Sequence, residues 1–169
     1  MMQTDFGGFW KMDHDFFMRE AIQEAQKAAI LDEVPIGCVI VYEGRIIGRG
    51  HNQRNSRKNA LCHAEIAAIN EACGVIGDWR LEGCTLYVTI EPCPMCAGAI
   101  IQARIPHVVF GTRNQKAGCA GSILNLLQES AFNHQADITD GILHDECAAL
   151  MRFFFSRLRQ KTGLHSDQT

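Results

Sequence analysis

Two short clusters in this 169-residue chain carry residue types that can do chemistry together: His63-Ala64-Glu65 and Pro92-Cys93-Pro94-Met95-Cys96. Imidazole nitrogen and cysteine thiolate are ordinary zinc ligands, and a Cys-x-x-Cys pair on a first helical turn puts both sulfurs on one side. His63, Cys93 and Cys96 therefore form a candidate Zn²⁺ site, one ion per subunit. Three protein ligands leave one tetrahedral position open, the catalytic rather than the closed structural arrangement. Glu65 stands two residues from the histidine, able to reach a water in that position but poorly placed to be a ligand. A carboxylate there can take a proton from the water and pass it to a ring nitrogen and then to a leaving amine. Two thiolates already cancel the zinc charge, so the helix N-termini expected at both clusters must help activate the water. Two plainer readings stand beside this one. One is a structural Cys₃His site completed by Cys38, Cys62, Cys84 or Cys119, and the other is a pair of idle thiols. Neither has a use for Glu65 or for the strand leading into Pro92.

The elements that must position these groups can be read from periodicity and turn residues. A first helix runs from Asp13, a good N-cap, to about Ile30, with Phe17, Ala21, Ala25 and Ala28 on one face. Ile36 to Tyr42 and Arg45 to Gly50 are β-type runs joined by a hairpin at Glu43-Gly44. After a polar loop comes a helix from Ala64 to about Cys73, then a strand from Cys84 to Ile90. Pro94 to Ala103 reads as a helix whose proline falls in the first turn, where its missing N–H costs nothing. His107 to Gly111 and Ala136 to Thr139 are brief strands, and Leu143 to Arg159 is a final amphipathic helix. Interleaved helices and strands indicate a three-layer α/β domain.

The length suits one domain, with a core expected over about 13–161 and loosely held ends at Met1 to Lys11 and Thr162 to Thr169. An apolar fraction of 47% with 21% charged residues argues against disorder. No stretch approaches the roughly 18–20 apolar residues of a membrane helix, and the first residues do not resemble a secretory signal. The expected compartment is the cytoplasm, where thiols stay reduced. The eight cysteines then divide into two ligands and six packing residues.

The joint pattern His-x-Glu…Pro-Cys-x-x-Cys is the signature of zinc nucleobase deaminases. Around it lie Glu33-Val34-Pro35-Ile36-Gly37, Leu86-Tyr87-Val88-Thr89-Ile90-Glu91, Ala97-Gly98-Ala99, Val109-Phe110-Gly111, Asn133-His134 and Glu146-Cys147-Ala148-Ala149-Leu150. These stretches resemble the bacterial tRNA-specific adenosine deaminases from about Phe16 to Lys161. The resemblance implies a cytidine deaminase-like fold, a mixed five-stranded sheet sandwiched between helices, and a homodimer. It implies a tRNA anticodon stem-loop as substrate, its wobble adenosine converted to inosine. Activated hydroxide would attack C6, Glu65 would carry protons to N1, and ammonia would leave. By matching position, Asn52 would hydrogen-bond the flipped purine and the Ala64 backbone N–H would sit beside its reacting edge. Ile36 and Ile90 would wall the base pocket, and Phe155 would stack near the entrance. Without the resemblance, Asn52 reads as a turn residue, the isoleucines as core, and at least two of Phe153, Phe154 and Phe155 as core. Relatives usually carry aspartate where this chain has Asn114. Losing that charge while keeping an acceptor for a ribose 2′-OH implies weaker discrimination between RNA and DNA.

Charge settles less than it first suggests. Sixteen Lys and Arg against 19 Asp and Glu give −3, which by itself disfavours a nucleic-acid partner. Yet Arg45, Arg49, Arg54, Arg57 and Lys58 fall in an acid-free stretch beside the first cluster. Arg104, Arg113 and Lys116 fall in an acid-free run from Pro92 to Gln128, and Arg152, Arg157, Arg159 and Lys161 in another from Cys147 to Lys161. Of these, Arg54, Arg57, Lys58, Arg113, Lys116, Arg157 and Arg159 are candidates for contact with an RNA backbone. Two rival functions remain open at this stage. One is a free-base or nucleotide deaminase of the same superfamily, and the other is a catalytically silent RNA-binding subunit.

Overall fold

The computed structural model describes residues 13–163; Met1 to Lys11 and the stretch after Gly163 lie outside the described residues. Helix α1 (His14–Ile30) starts where Asp13 accepts the Phe16 N–H, as its N-cap character predicts. Strands β1 (Gly37–Tyr42) and β2 (Arg45–His51) form the expected antiparallel hairpin. Both turn residues, Glu43 and Gly44, have positive φ, the twist a two-residue hairpin loop requires. The remaining elements are α2 (Arg54–Arg57), α3 (Ala64–Ile76), β3 (Cys84–Ile90), α4 (Pro94–Gln102), β4 (His107–Thr112), β5 (Asp137–Asp140) and α5 (His144–Gly163). A short 3₁₀ turn spans Leu126–Gln128.

The five strands form one mixed sheet in the order β2-β1-β3-β4-β5. β1 is antiparallel to both neighbours, whereas β3, β4 and β5 run parallel. Successive side chains on a strand face opposite sides, so each strand feeds two cores. Cys38, Ile40, Leu86, Val88, Val108 and Phe110 pack against α3 and α4. Val39, Val41, Tyr87 and Val109 pack against α1 and the beginning of α5. This is the three-layer α/β sandwich expected from the sequence.

The differences have local causes. α3 continues three residues beyond Cys73 because Gly74 is tolerated inside it, while Gly77, at φ +75, supplies the left-handed stop. α2 is too short and too polar to show a period. It is held instead by the buried Glu33 carboxylate, which accepts the Ser56 N–H at 2.6 Å and its hydroxyl at 2.9 Å. None of Phe153, Phe154 and Phe155 is buried, contrary to the core expectation. α5 reaches the core through Leu143, Cys147 and Leu150 near its start, and its later turns carry their aromatics outward.

Close packing of helix on sheet depends on glycine where α3 begins. A Cβ on Gly50 would lie 2.1 Å from the Ala64 carbonyl oxygen and 2.8 Å from the Ala68 nitrogen. That contact sets the height of the helix whose first turn carries Glu65. Gly50→Ala should therefore cost about 3 kcal/mol, the upper range for overpacking a well-filled core. Urea unfolding checks this, and a midpoint equal to wild type would contradict it.

Candidate active site

His63 and Cys93 are the N-cap residues of α3 and α4, and neither side chain caps its own helix. They turn toward each other instead. His63 Nδ1 lies 3.6 Å from Cys93 Sγ and 3.5 Å from Cys96 Sγ. Zinc bonds of about 2.3 Å to sulfur and about 2.0–2.1 Å to nitrogen, at a tetrahedral angle, span an N···S edge of roughly 3.6 Å. The three donors thus fit a zinc-sized tetrahedral ion. Among the described residues no fourth His, Cys, Asp or Glu atom joins this group within 4.8 Å. The Cys₃His alternative is thereby removed, as Cys38, Cys62, Cys84 and Cys119 all stay outside, and all eight cysteines are free thiols.

The electrostatics suit a cation. Hydrogen bonds from Cys96 and then His63 pull the Cys93 thiol down to about 4, well into the thiolate range. Cys96 is pushed far up by the same shared contact and by burial, so on their own the two sulfurs hold one proton between them. A divalent ion would take both as thiolates. The Glu65 carboxyl, 3% exposed, is raised above the ordinary glutamate value, first by burial and then by the Cys93 charge. That places it nearer the range in which it can both accept and return a proton.

His63, Glu65 and Cys93 line a cavity of about 790 Å³. Ile36, Asn52, Ile90, Asn114 and Phe155 all line it, as do the candidate cations Arg54, Lys116 and Arg159. Ala64 is fully buried at the first position of α3. Asn52 is 3% exposed, and its Oδ1 is the one buried side-chain polar atom without a partner among the described residues. Buried polar groups are almost always bonded, and an orphan costs about 1–3 kcal/mol. Because an amide can flip, Asn52 can offer either an acceptor or a donor to a base edge.

Other sequence candidates lie elsewhere. Arg113 pairs with Asp140, and Arg157 with Asp32 at 3.8 Å. Arg57 lines a separate depression of about 400 Å³ beside His51 and Leu61. Lys58 is the exposed left-handed C-cap of α2. Asn114 Oδ1 accepts the Lys116 and Ala117 N–H groups at 3.2 and 3.1 Å. The acceptor expected to meet a ribose hydroxyl is thus committed to its own loop, which leaves the amide N–H₂ as the group to offer. Arg152 and Ser156 also line the cavity; the charge pattern puts Arg152 in a basic segment without making it a site candidate and does not mark Ser156. Their signal was available, since residues 152, 155, 156 and 159 share one helical face at spacings of three and four.

The MafB19-like deaminase family model matches residues 12–159. The tRNA-specific adenosine deaminase of Bacillus subtilis (strain 168) is 52% identical over 147 residues, 87% of this chain and 91% of the relative. A solved structure from work on A-to-I editing by tRNA:A34 deaminases superposes with a TM-score of 0.77 at 41% identity, over 80% of this chain and 98% of that one. The chain belongs to the tRNA-specific adenosine deaminase family. A guanine deaminase from Bacillus subtilis shares less of the fold, with a TM-score of 0.57 at 38% identity, over 60% of this chain and 66% of that one.

In this deaminase four cations, Arg54, Lys116, Arg152 and Arg159, ring the cavity from three separate parts of the chain. The negative groups lining it, Glu65 and Glu91, are both buried. The exposed charge bordering the cavity is therefore positive. If about four phosphates are neutralised, affinity for an RNA stem-loop should fall roughly 50-fold between about 50 and 200 mM salt. A titration in that range checks it, and a flat response would contradict the rim.

Proposed function

We propose that this protein is a zinc-dependent hydrolase that deaminates adenosine to inosine at the wobble position of a tRNA anticodon. The carrying observation is the buried Glu65 carboxyl beside three candidate ligand atoms within 4.8 Å of one another, in the lining of a cavity that also presents the unpartnered Oδ1 of Asn52. His63, Cys93 and Cys96 would hold Zn²⁺. The ion supplies Lewis-acid activation of the attacking water.

The chain's own residues supply the rest. Ile36 and Ile90 make an apolar slot for a purine that has left its stack, a step costing a few kcal/mol and cheapest in a single-stranded loop. Asn52 bonds the edge of the base, and the backbone N–H of Ala64, an unused donor of the first helical turn, faces the reacting side. Glu65 accepts a proton from the water as its oxygen bonds to C6, and delivers it to N1. The remaining proton of the hydroxyl now on C6 passes through Glu65 to the amino nitrogen, the C6–N6 bond breaks as C6–O becomes the carbonyl, and ammonia leaves. Phe155 offers a stacking face to a flanking base, and Arg54, Lys116 and Arg159 with Arg152 face its phosphates. The resemblance supports action as a homodimer built from one deaminase domain per chain. A tRNA substrate supports a cytoplasmic site of action. No helix of the described residues is long and apolar enough to cross a membrane.

The likeness to a guanine deaminase supports a second reading, deamination of a free base. The cationic rim disfavours it, since an uncharged base has nothing to give those side chains. Two variants test the assignment of roles. Glu65→Ala should keep about one zinc per chain while turnover on an anticodon stem-loop falls at least about 10³-fold, in the upper part of the roughly 10²–10⁴-fold span of a general acid–base group because it serves two transfers. Cys96→Ala should lose the metal and the activity together. Metal analysis beside an ammonia-release assay reads both, and substantial deamination by Glu65→Ala would overturn the role.

A further inference from the structure

A second buried carboxylate in the cavity wall has no part in the proton transfers above. Glu91, 1% exposed, follows the last residue of β3 and precedes Pro92 and Cys93. Among the described residues no lysine, arginine or histidine pairs with it. Its charge is met by backbone N–H groups and one hydroxyl. Oε1 accepts the Ala120 and Ser122 N–H groups, each at 2.9 Å. Oε2 accepts the Asn114 N–H at 2.9 Å and the Ser122 hydroxyl. Two further bonds close the unit. The Gly118 N–H meets the Asn114 carbonyl at 2.8 Å, and the Cys119 N–H meets the Pro92 carbonyl at 2.9 Å. Gly118 is part of the arrangement, because a Cβ there would lie 2.3 Å from Oε2.

We infer that Glu91 is a positioning residue for substrate binding, folding the 113–122 segment around its carboxylate so that Asn114, Lys116 and Ala117 form one wall of the cavity. The inference rests on the reading that this cavity receives a nucleotide of a tRNA. The wall's three lining residues all come from this segment, whereas His63 and Glu65 come from α3 and its cap and Cys93 and Cys96 from α4 and its cap. Glu91 therefore acts on how the nucleotide is held rather than on the proton transfers.

The chemistry demands a carboxylate and not only its shape. Both oxygens are acceptors for N–H donors that cannot rotate away. An amide at this position must turn its N–H₂ toward one set of them. Facing Oε1's partners it would oppose two N–H groups. Facing Oε2's it opposes the Asn114 N–H alone, since the Ser122 hydroxyl can rotate and accept. Glu91→Gln is thus expected to release the limb that carries Asn114 and Lys116, even though it is nearly isosteric.

The test compares zinc-loaded wild type, Glu91→Gln and Gly118→Ala in two measurements. Hydrogen–deuterium exchange over residues 113–122 should speed up by about tenfold or more in Glu91→Gln, with α3 and α4 unchanged. Steady-state kinetics on an anticodon stem-loop should show KM raised by about tenfold and kcat within about threefold, the pattern of lost binding that is uniform along the reaction. Gly118→Ala crowds the carboxylate without touching its charge and should show the same pair of changes. It carries the test if Glu91→Gln does not fold. Unchanged exchange in the 113–122 segment overturns the inference whatever the activity. So does a fall in kcat and zinc content at constant KM, which would make Glu91 a support of the metal-binding turn. A wild-type protein inactive on the stem-loop contradicts the functional reading itself and takes this inference with it.

Discussion

A histidine nitrogen and two cysteine sulfurs must stand about 3.5 Å apart although their residues are separated by 30 and 33 positions in the chain. Helix termini are the rigid places from which to hold them, and both α3 and α4 are required to begin at the same point in space. The topology satisfies that requirement. The right half of the sheet is parallel, so β3 delivers the chain to Cys93 at the edge where parallel strands end. The hairpin of β1 and β2 delivers it to the Asn52–His63 segment on the same edge. Gly50 lets α3 settle against β2 closely enough for His63 to meet the two sulfurs. Helix dipoles then add positive potential where two thiolates and a carboxylate collect.

Around that constraint four glutamates are buried among the described residues, each with a different solution to the cost of removing a carboxylate from water. Glu24 meets Lys27, Arg49 and His51, and so ties α1 to the strand that ends beside Asn52. Glu33 meets Ser56 and fixes the turn that carries Arg54 to the cavity rim. Glu91 is held below the ordinary carboxylate value because bonds from Ser122, Asn114 and Ala120 outweigh its burial. Glu65 is raised, its burial outweighing the bonds from its own backbone N–H and from Cys96. Glu24, Glu33 and Glu91 serve as fixed acceptors that shape the site, and Glu65 is the one in contact with the cluster of candidate metal donors.

Much of this could be read from the chain itself. His63, Cys93, Cys96 and Glu65 are close in sequence to recognisable helix starts, so local pattern picks out a cluster that the fold does bring together, and the resemblance points to Asn52, Ile36, Ile90 and Phe155, which line the same cavity. What sequence could not supply was pairing across long separations. Arg49 sits in an acid-free stretch yet is bonded to Glu20 and Glu24 from α1. Arg157 and Lys161 meet Asp32, and Arg113 meets Asp140. Charges segregated along the chain are thus partly neutralised in space, and four basic residues among the described ones line the cavity. Periodicity misled at α5, where the three phenylalanines look like core until the helix is seen to run on after its last core contact. The role of Glu91 was hidden for the same reason as the ion pairs. Its partners, Asn114, Ala120 and Ser122, lie 23 to 31 residues away, on a segment with no regular period.

The central claim is that this arrangement acts on one adenosine of a folded RNA. The most direct measurement is to incubate the zinc-loaded protein with unmodified tRNA and sequence the product. Inosine pairs as guanosine, so the account predicts an adenosine-to-guanosine change at the wobble position and at no other adenosine. An unchanged anticodon, with ammonia released instead from free guanine or another free base, would contradict it.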